Sequence, residues 1–172
     1  MSRPVLILLH GVVYAGAFAV LQGPWFSVVL GACLIWASVV DFERFEIPDL
    51  ASLFLFVTGL AVAYGAGVLV WHVAGAVLWA ALFWAVAAFY RRYRGWDGLG
   101  FGDVKLIAGI AAWVGFYGTI WVVFAAAIAG IGMLLINAVL KGGQFQGSQQ
   151  SAVAFGPFLC FSAWAVWLTG VS

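Results

Sequence analysis

Long apolar runs limit what this chain can fold into more than any other feature of its sequence. They cover residues 4–21, 25–40, 50–90, 104–140 and 152–169. A helix that crosses a bilayer needs about 20 residues, so three runs suit one crossing each and two are long enough for two. Hydrophobic residues make up 66 % of the chain and charged residues 8 %, whereas a soluble domain has about 45–50 % and about 25 %. The sequence therefore predicts a polytopic membrane protein.

The two double-length runs should each turn once, because neither can cross a bilayer as one straight helix. We expect the first turn at Gly65, Gly67 and Trp71–His72, and the second at residues 115–118, which read Gly-Phe-Tyr-Gly. The predicted fold is an all-α membrane helix bundle with six or seven transmembrane helices. Only loops remain outside the runs, so residues 1–172 should form one integral-membrane domain without a soluble domain.

Charge placement predicts the orientation of this bundle. With seven spans, every basic residue falls on the side of the N-terminus, which the positive-inside rule makes cytoplasmic. The basic residues are Arg3, Arg44, Arg91, Arg92, Arg94, Lys105 and Lys141. The acidic residues fall on the same face, and they are Asp41, Glu43, Glu46, Asp49, Asp97 and Asp103. We therefore expect a multi-pass membrane protein whose N-terminus is cytoplasmic.

Composition argues against several other classes of protein. The net charge of +1 leaves no basic stripe of the kind that binds nucleic acid. The two cysteines, Cys33 and Cys160, form no CxxC pattern and cannot build a disulfide scaffold. His10 and His72 are predicted near opposite faces of the membrane, which argues against a shared metal site. We expect no cofactor.

Two loops hold most of the charged residues, and each places an aspartate at the end of a helix. The first covers residues 40–49, where Asp41 ends the second run, and the second covers residues 96–105, where Asp103 opens the fifth helix. Three glycines precede Asp103 at alternate positions, and they are Gly98, Gly100 and Gly102. Because glycine permits close backbone approach, an extended substrate could lie along this segment.

Each of these carboxylates also has a structural interpretation. Asp103 or Asp49 could cap the N-terminus of a helix, since aspartate is a preferred capping residue. Glu43 and Glu46 could belong to a solvated loop. If the second and fifth helices are neighbours, however, Asp41 and Asp103 would share a proton. One could then act as a base on water and the other as an acid, which is the chemistry of peptide hydrolysis without a covalent intermediate.

Three short motifs follow one another along the chain. Asp41 stands six residues before the segment Ile47-Pro48-Asp49, and Gly100-Phe101-Gly102-Asp103 is followed by Val104-Lys105-Leu106. The third motif is Ala154-Phe155-Gly156-Pro157-Phe158. In this order they resemble the type IV prepilin peptidase family of integral-membrane aspartic proteases, with its first aspartate and I/L-P-N/D element, its GxGD motif and its aromatic-Gly-Pro element. The resemblance extends from Asp41 to Pro157, over most of the chain.

The resemblance implies a reaction and a partner. Family members remove a short basic leader from pilin-like precursors at the cytoplasmic face of the bacterial inner membrane, just before the hydrophobic helix of the precursor. Asp41 and Asp103 would be the catalytic pair, and neither is assigned as the base because a coupled pair titrates as a unit. Many members carry a four-cysteine zinc cluster, which this chain lacks. It resembles the shorter, peptidase-only branch that serves Flp/Tad-type pili, so N-methylation is not expected.

The residues around the two aspartates form the predicted supporting or substrate-binding set. They are Gly100, Gly102, Lys105, Pro48, Asp49, Glu43 and Glu46. Glu43 and Glu46, together with Asp97, could attract a basic leader. They could equally belong to a solvated loop, since exposed ion pairs contribute little energy. Lys105 could keep a neighbouring acid charged, or it could anchor the cytoplasmic end of its helix.

Two other functions stay open at the level of sequence. A GxGD intramembrane protease of the presenilin kind carries a tyrosine-aspartate motif, whereas Val40 precedes Asp41 here, and its Pro-Ala-Leu element is absent. A small transporter or accessory membrane subunit could use paired acids as a proton or cation path. Against a transporter, no charged residue lies in the middle of a run to continue such a path. The sequence does not predict the oligomeric state.

Overall fold

Helices make up all the regular structure of the described part of the chain. The structure is a computed structural model, and it describes residues 3–21, 24–94, 100–140 and 154–170. In chain order the helices are α1 (Arg3–Leu21), α2 (Ser27–Arg44), α3 (Asp49–Gly65), α4 (Leu69–Arg94), α5 (Phe101–Leu140) and α6 (Gly156–Thr169). The predicted all-α class is confirmed for these ranges. The first predicted turn lies at residues 66–68, between α3 and α4, whereas Trp71 and His72, which were also expected in it, lie inside α4.

Helix α5 is broken at Gly115 and folds back on itself. Gly115 has φ 68° and ψ −174°, a backbone conformation that is open to glycine and costly for other residues. Beyond the break, Gly130 lies against the ring of Phe155, which immediately precedes the α6 residue that contacts Asp41. The start of α5 lines a pocket together with Asp41. In a straight helix, Gly130 would lie about 40 Å from that start. The second predicted turn therefore lies at Gly115, within residues 115–118.

Helix α4 stabilises this turn with two side chains. His72 Nδ1 donates a hydrogen bond to the carbonyl oxygen of Ala112 at 2.9 Å, and Trp79 Nε1 donates one to that of Phe116 at 3.1 Å. A break in a helix leaves carbonyl groups without their usual backbone donors. The indole and imidazole groups supply donors at this break.

Helix α5 packs against α3, α4 and α6, and its first leg lies at the centre of the bundle. Leu106, Ile107 and Ile110 on this leg are fully buried. Glycines allow the close approach of α3, since a Cβ on Gly59 would lie 2.6 Å from the Trp113 ring. Small residues at helix contacts are typical of packing in a bilayer, where backbones can approach closely.

The exterior of the bundle is apolar on every helix. Large exposed apolar side chains include Leu8, Val28, Phe54, Trp84, Phe124 and Phe161. By length and composition, two helical segments could cross a membrane, namely Leu69–Tyr93 and Phe101–Ile136, and the apolar part of the latter begins at Val104, after its first turn. Three shorter helices are also apolar. The count of six or seven crossings remains a prediction.

Charged helix ends meet at one end of the bundle. Lys105 at the start of α5 contacts Asp49 at the start of α3, with 2.5 Å between Nζ and Oδ1. The start of α6 lies against Asp41 in the last turn of α2. This end of the bundle holds the candidate site.

Candidate active site

Asp41 and Asp103 line the same pocket, which has a volume of about 360 Å³. It opens between the last turn of α2, the connection to α3 and the first turn of α5. Asp41 is 6 % exposed and Asp103 is 9 % exposed, so both residues are buried. The structure therefore brings both aspartates to one pocket, as the shared-proton hypothesis requires. In the described residues, however, α2 and α5 do not pack against each other, so the expectation that the second and fifth helices are direct neighbours is wrong. Both helices pack instead against α3 and α6, which lie between them.

Helix α2 continues four residues beyond the predicted end of its apolar run and places Asp41 in its last full turn. The carboxylate oxygen Oδ2 of Asp41 accepts a hydrogen bond from the backbone N–H of Gly156 at 3.0 Å. Gly156 begins α6, and Pro157 follows it in the first turn. The third sequence motif is thus in direct contact with the first.

Asp103 is the third residue of α5 and lies at its N-terminal end. Its carboxylate accepts a hydrogen bond from the backbone N–H of Gly100, just before the helix. This is a capping contact, so Asp103 both caps the N-terminus of α5 and lines the pocket. Gly102 packs against Ile47, and a Cβ on Gly102 would lie 3.1 Å from the Ile47 Cβ. Close packing at Gly102 brings the two motifs together.

The two carboxyl groups titrate differently from free aspartates. Both lie at helix ends, outside the predicted apolar runs. Burial raises the pKa of Asp41, and the hydrogen bond from Gly156 lowers it in part. Burial, and then the charge of Asp41, raise the pKa of Asp103 to about 7, against a smaller lowering by the Gly100 hydrogen bond. Near neutral pH the pair can therefore hold one proton, with one member ionised and the other able to donate.

Lys105 pairs with Asp49 on the rim of the pocket. Its Nζ also lies 5.1 Å from the ring centroid of Phe101, in a cation–π contact. Both charged groups are exposed, so the pair adds little stability, but it joins the starts of α3 and α5. The capping interpretation of Asp49 is wrong, because the cap of α3 is Pro48, in an extended conformation and without a side-chain capping bond.

Two aromatic residues that the sequence did not single out line the pocket. Phe45 and Phe101 are 60 % and 56 % exposed. Phe45 ends α2 in the left-handed conformation, with φ 55° and ψ 33°. A side chain in this conformation costs about 1–2 kcal/mol, and such strain concentrates at functional sites. No pattern in the sequence indicated either the strain or the exposure.

The remaining predicted residues occupy different positions. Gly100, Gly102 and Glu46 line the pocket, whereas Glu43 is exposed on the last turn of α2, outside the lining. Asp97 lies outside the described residues. Within the described ranges, no three His, Cys, Asp or Glu side chains are grouped to hold a metal ion.

Comparison with protein families gives a match over residues 28–135 to a family described as the type IV leader peptidase family. The match includes both aspartates and covers more than half of the chain. The chain belongs to the type IV leader peptidase family. The membership expected from the three motifs is thus confirmed.

Three curated relatives, each named prepilin leader peptidase/N-methyltransferase, illustrate the similarity. The protein of Neisseria gonorrhoeae is 31 % identical over 95 % of this chain and 56 % of its own length. The protein of Burkholderia pseudomallei is 33 % identical over 91 % of this chain and 51 % of its own length. The protein of Escherichia coli K12 is 30 % identical over 87 % of this chain and 68 % of its own length. The chain thus spans about half the length of the first two. No solved structure matches the chain.

Proposed function

We propose that this protein is a membrane aspartic endopeptidase that removes the leader peptide from type IV prepilins. The observation that carries the proposal is the placement of Asp41 and Asp103, from two different helices, in one pocket at the end of an apolar bundle. Family membership and the names of the relatives support this substrate class. We also propose a precursor of the Flp/Tad type, because the sequence resembles the branch of the family that serves such pili.

In the proposed reaction the ionised carboxylate takes a proton from a water molecule, and the water oxygen attacks the scissile carbonyl carbon. The protonated carboxyl group donates its proton to the carbonyl oxygen, which gives a neutral gem-diol. The C–N bond then breaks as the first carboxyl group protonates the leaving nitrogen. One gem-diol hydroxyl returns a proton to the second carboxylate. One water molecule is consumed, and both aspartates recover their starting protonation states.

The substrate would approach with its hydrophobic helix in the bilayer, beside the apolar exterior of the bundle. The peptide bond before that helix would then reach the pocket at the charged end. Glu46 lines the pocket and would attract a basic leader. By the positive-inside rule this end faces the cytoplasm, and the bundle crosses the membrane six or seven times.

Co-expression with Flp-type and other pilin-like precursors tests this proposal. The precursor's N-terminus is read by mass spectrometry for the wild type, Asp41→Asn, Asp103→Asn and Asp49→Asn. Loss of an acid or base should slow cleavage about 100-fold or more. Asp49→Asn, which removes an exposed ion-pair partner, should slow it less than about fivefold.

Equal membrane levels of all four proteins are the control for folding. Full cleavage by Asp41→Asn or Asp103→Asn would refute the catalytic pair. No cleavage of any precursor by the wild type, together with an ion flux that requires both aspartates, would instead support the transporter hypothesis.

A further inference from the structure

Gly156 contacts Asp41 so closely that no other residue fits at this position. Its backbone N–H donates to Oδ2 of Asp41 at 3.0 Å. A Cβ on Gly156 would lie 2.6 Å from the same oxygen and 3.0 Å from Cγ of Asp41. It would also lie 3.3 Å from Cδ1 of Ile47. A side chain here would therefore push the carboxylate out of its present place.

The position of the N–H group matters as much as the missing side chain. Asp41 lies in the last turn of α2, where the helix dipole disfavours a negative charge. Gly156 is the first residue of α6, so its N–H is free of the helical ladder and lies at the positive end of the α6 dipole. A hydrogen bond to the charged form of a carboxyl group favours that form.

We propose that Gly156 is a positioning residue, which holds the Asp41 carboxylate in the pocket and favours its charged form, so that Asp41 is the base and Asp103 the acid. The base assignment rests on the proposed function, whereas the contact itself does not. Asp103 also accepts a backbone hydrogen bond, from Gly100, but burial and the charge of Asp41 outweigh it and raise the pKa of Asp103 to about 7, which agrees with a proton held on that residue.

Other groups near Asp41 come from each helix packed around the pocket. The titratable and charged ones are Asp103 and Lys105 on α5, Asp49 on α3, Glu46 on the α2–α3 connection and Cys160 on α6. Lys105 already pairs with Asp49. Among these described neighbours, the Gly156 N–H is the group that donates directly to Asp41.

Glycine-to-alanine variants with known surroundings provide the first test. Gly156→Ala is compared with Gly132→Ala, whose new Cβ meets nothing within 4 Å, and with Gly109→Ala, whose Cβ would press on Leu55 at 2.9 Å. We expect Gly156→Ala to lower kcat about tenfold or more with little change in KM, and to move the acid limb of the pH profile to higher pH. Gly132→Ala should leave both unchanged, and Gly109→Ala should lower thermal stability without moving the limb. An unmoved acid limb in Gly156→Ala would overturn the proposal.

A stability cycle tests the contact without any proteolysis. Gly156→Ala is introduced into the wild type and into Asp41→Ala, and the thermal midpoints are measured in detergent. Because Asp41→Ala removes the atoms that a Cβ would strike, the loss caused by Gly156→Ala should be smaller there by a few degrees. If Gly156→Ala alone does not insert into the membrane but the double variant with Asp41→Ala does, that result would have the same meaning. Equal losses in both backgrounds would overturn the contact, whether or not the protein cleaves prepilins.

Discussion

The raised pKa of Asp103 makes both activity and stability depend on pH in a direction that can be calculated. Asp103 has a pKa of about 7 in the folded protein, whereas a free aspartate titrates near about 3.9. If Asp103 supplies the proton to the scissile carbonyl oxygen, its protonated fraction limits the rate. That fraction is about one half at pH 7 and about one tenth at pH 8.

Initial rates of leader cleavage in detergent, measured from about pH 5 to about pH 9, test the first consequence. The rate should fall about tenfold for each pH unit above neutrality. Samples returned to pH 6.5 after exposure to high pH must recover their activity, which separates titration from denaturation. A rate that stays level to pH 9 would show that Asp103 is not the proton donor.

The second consequence concerns stability and needs no substrate. Because the folded protein holds the Asp103 proton more tightly than the unfolded chain, this proton stabilises the fold at low pH. The contribution declines as the pH rises from about 4 to about 7, by at most about 1.4 kcal/mol per pH unit. Above that range it is absent.

Asp103→Asn removes this titration and is the matched control. Between pH 5 and pH 8, the thermal midpoint of the wild type should fall by several degrees relative to that of Asp103→Asn. A difference that does not change with pH would contradict a raised pKa at Asp103.

Two further predictions concern the rim of the pocket. Phe45→Gly should raise the thermal midpoint, because the release of about 1–2 kcal/mol of left-handed strain exceeds the roughly 0.5–1 kcal/mol entropic cost of glycine. The same change should weaken binding of the precursor, which would be measured as a higher KM. A lower midpoint would show that the Phe45 ring packs more than it strains. Lys105→Met should cost less than about 1 kcal/mol, and its combination with Asp49→Asn should cost no more than either change alone, since both break one ion pair. Additive losses in thermal midpoint would contradict that pairing.

Local patterns in the sequence were sufficient to predict the helices and their turns. Apolar runs of bilayer length gave each helix to within a few residues, because burial in lipid or in the core needs continuous apolar surface. Gly115 lies within the predicted second turn, where glycine can adopt a positive φ. The largest differences are of four residues, as at the ends of α2 and α4, which continue to Arg44 and Arg94 beyond their apolar runs. Polar residues can extend a helix once they leave the apolar environment, so hydrophobicity alone does not give its end.

The sequence by itself determined the all-α class, the apolar exterior and the choice of Asp41 and Asp103 as candidates, since residue type and spacing carry that information. Only the tertiary structure decided that both carboxylates line one pocket and that Lys105 pairs with Asp49, 56 positions away. It also decided that the N–H of Gly156 reaches Asp41 across 115 positions. Contacts of this kind depend on how separate helices pack against one another, and a hydrophobic pattern within one segment does not encode that packing.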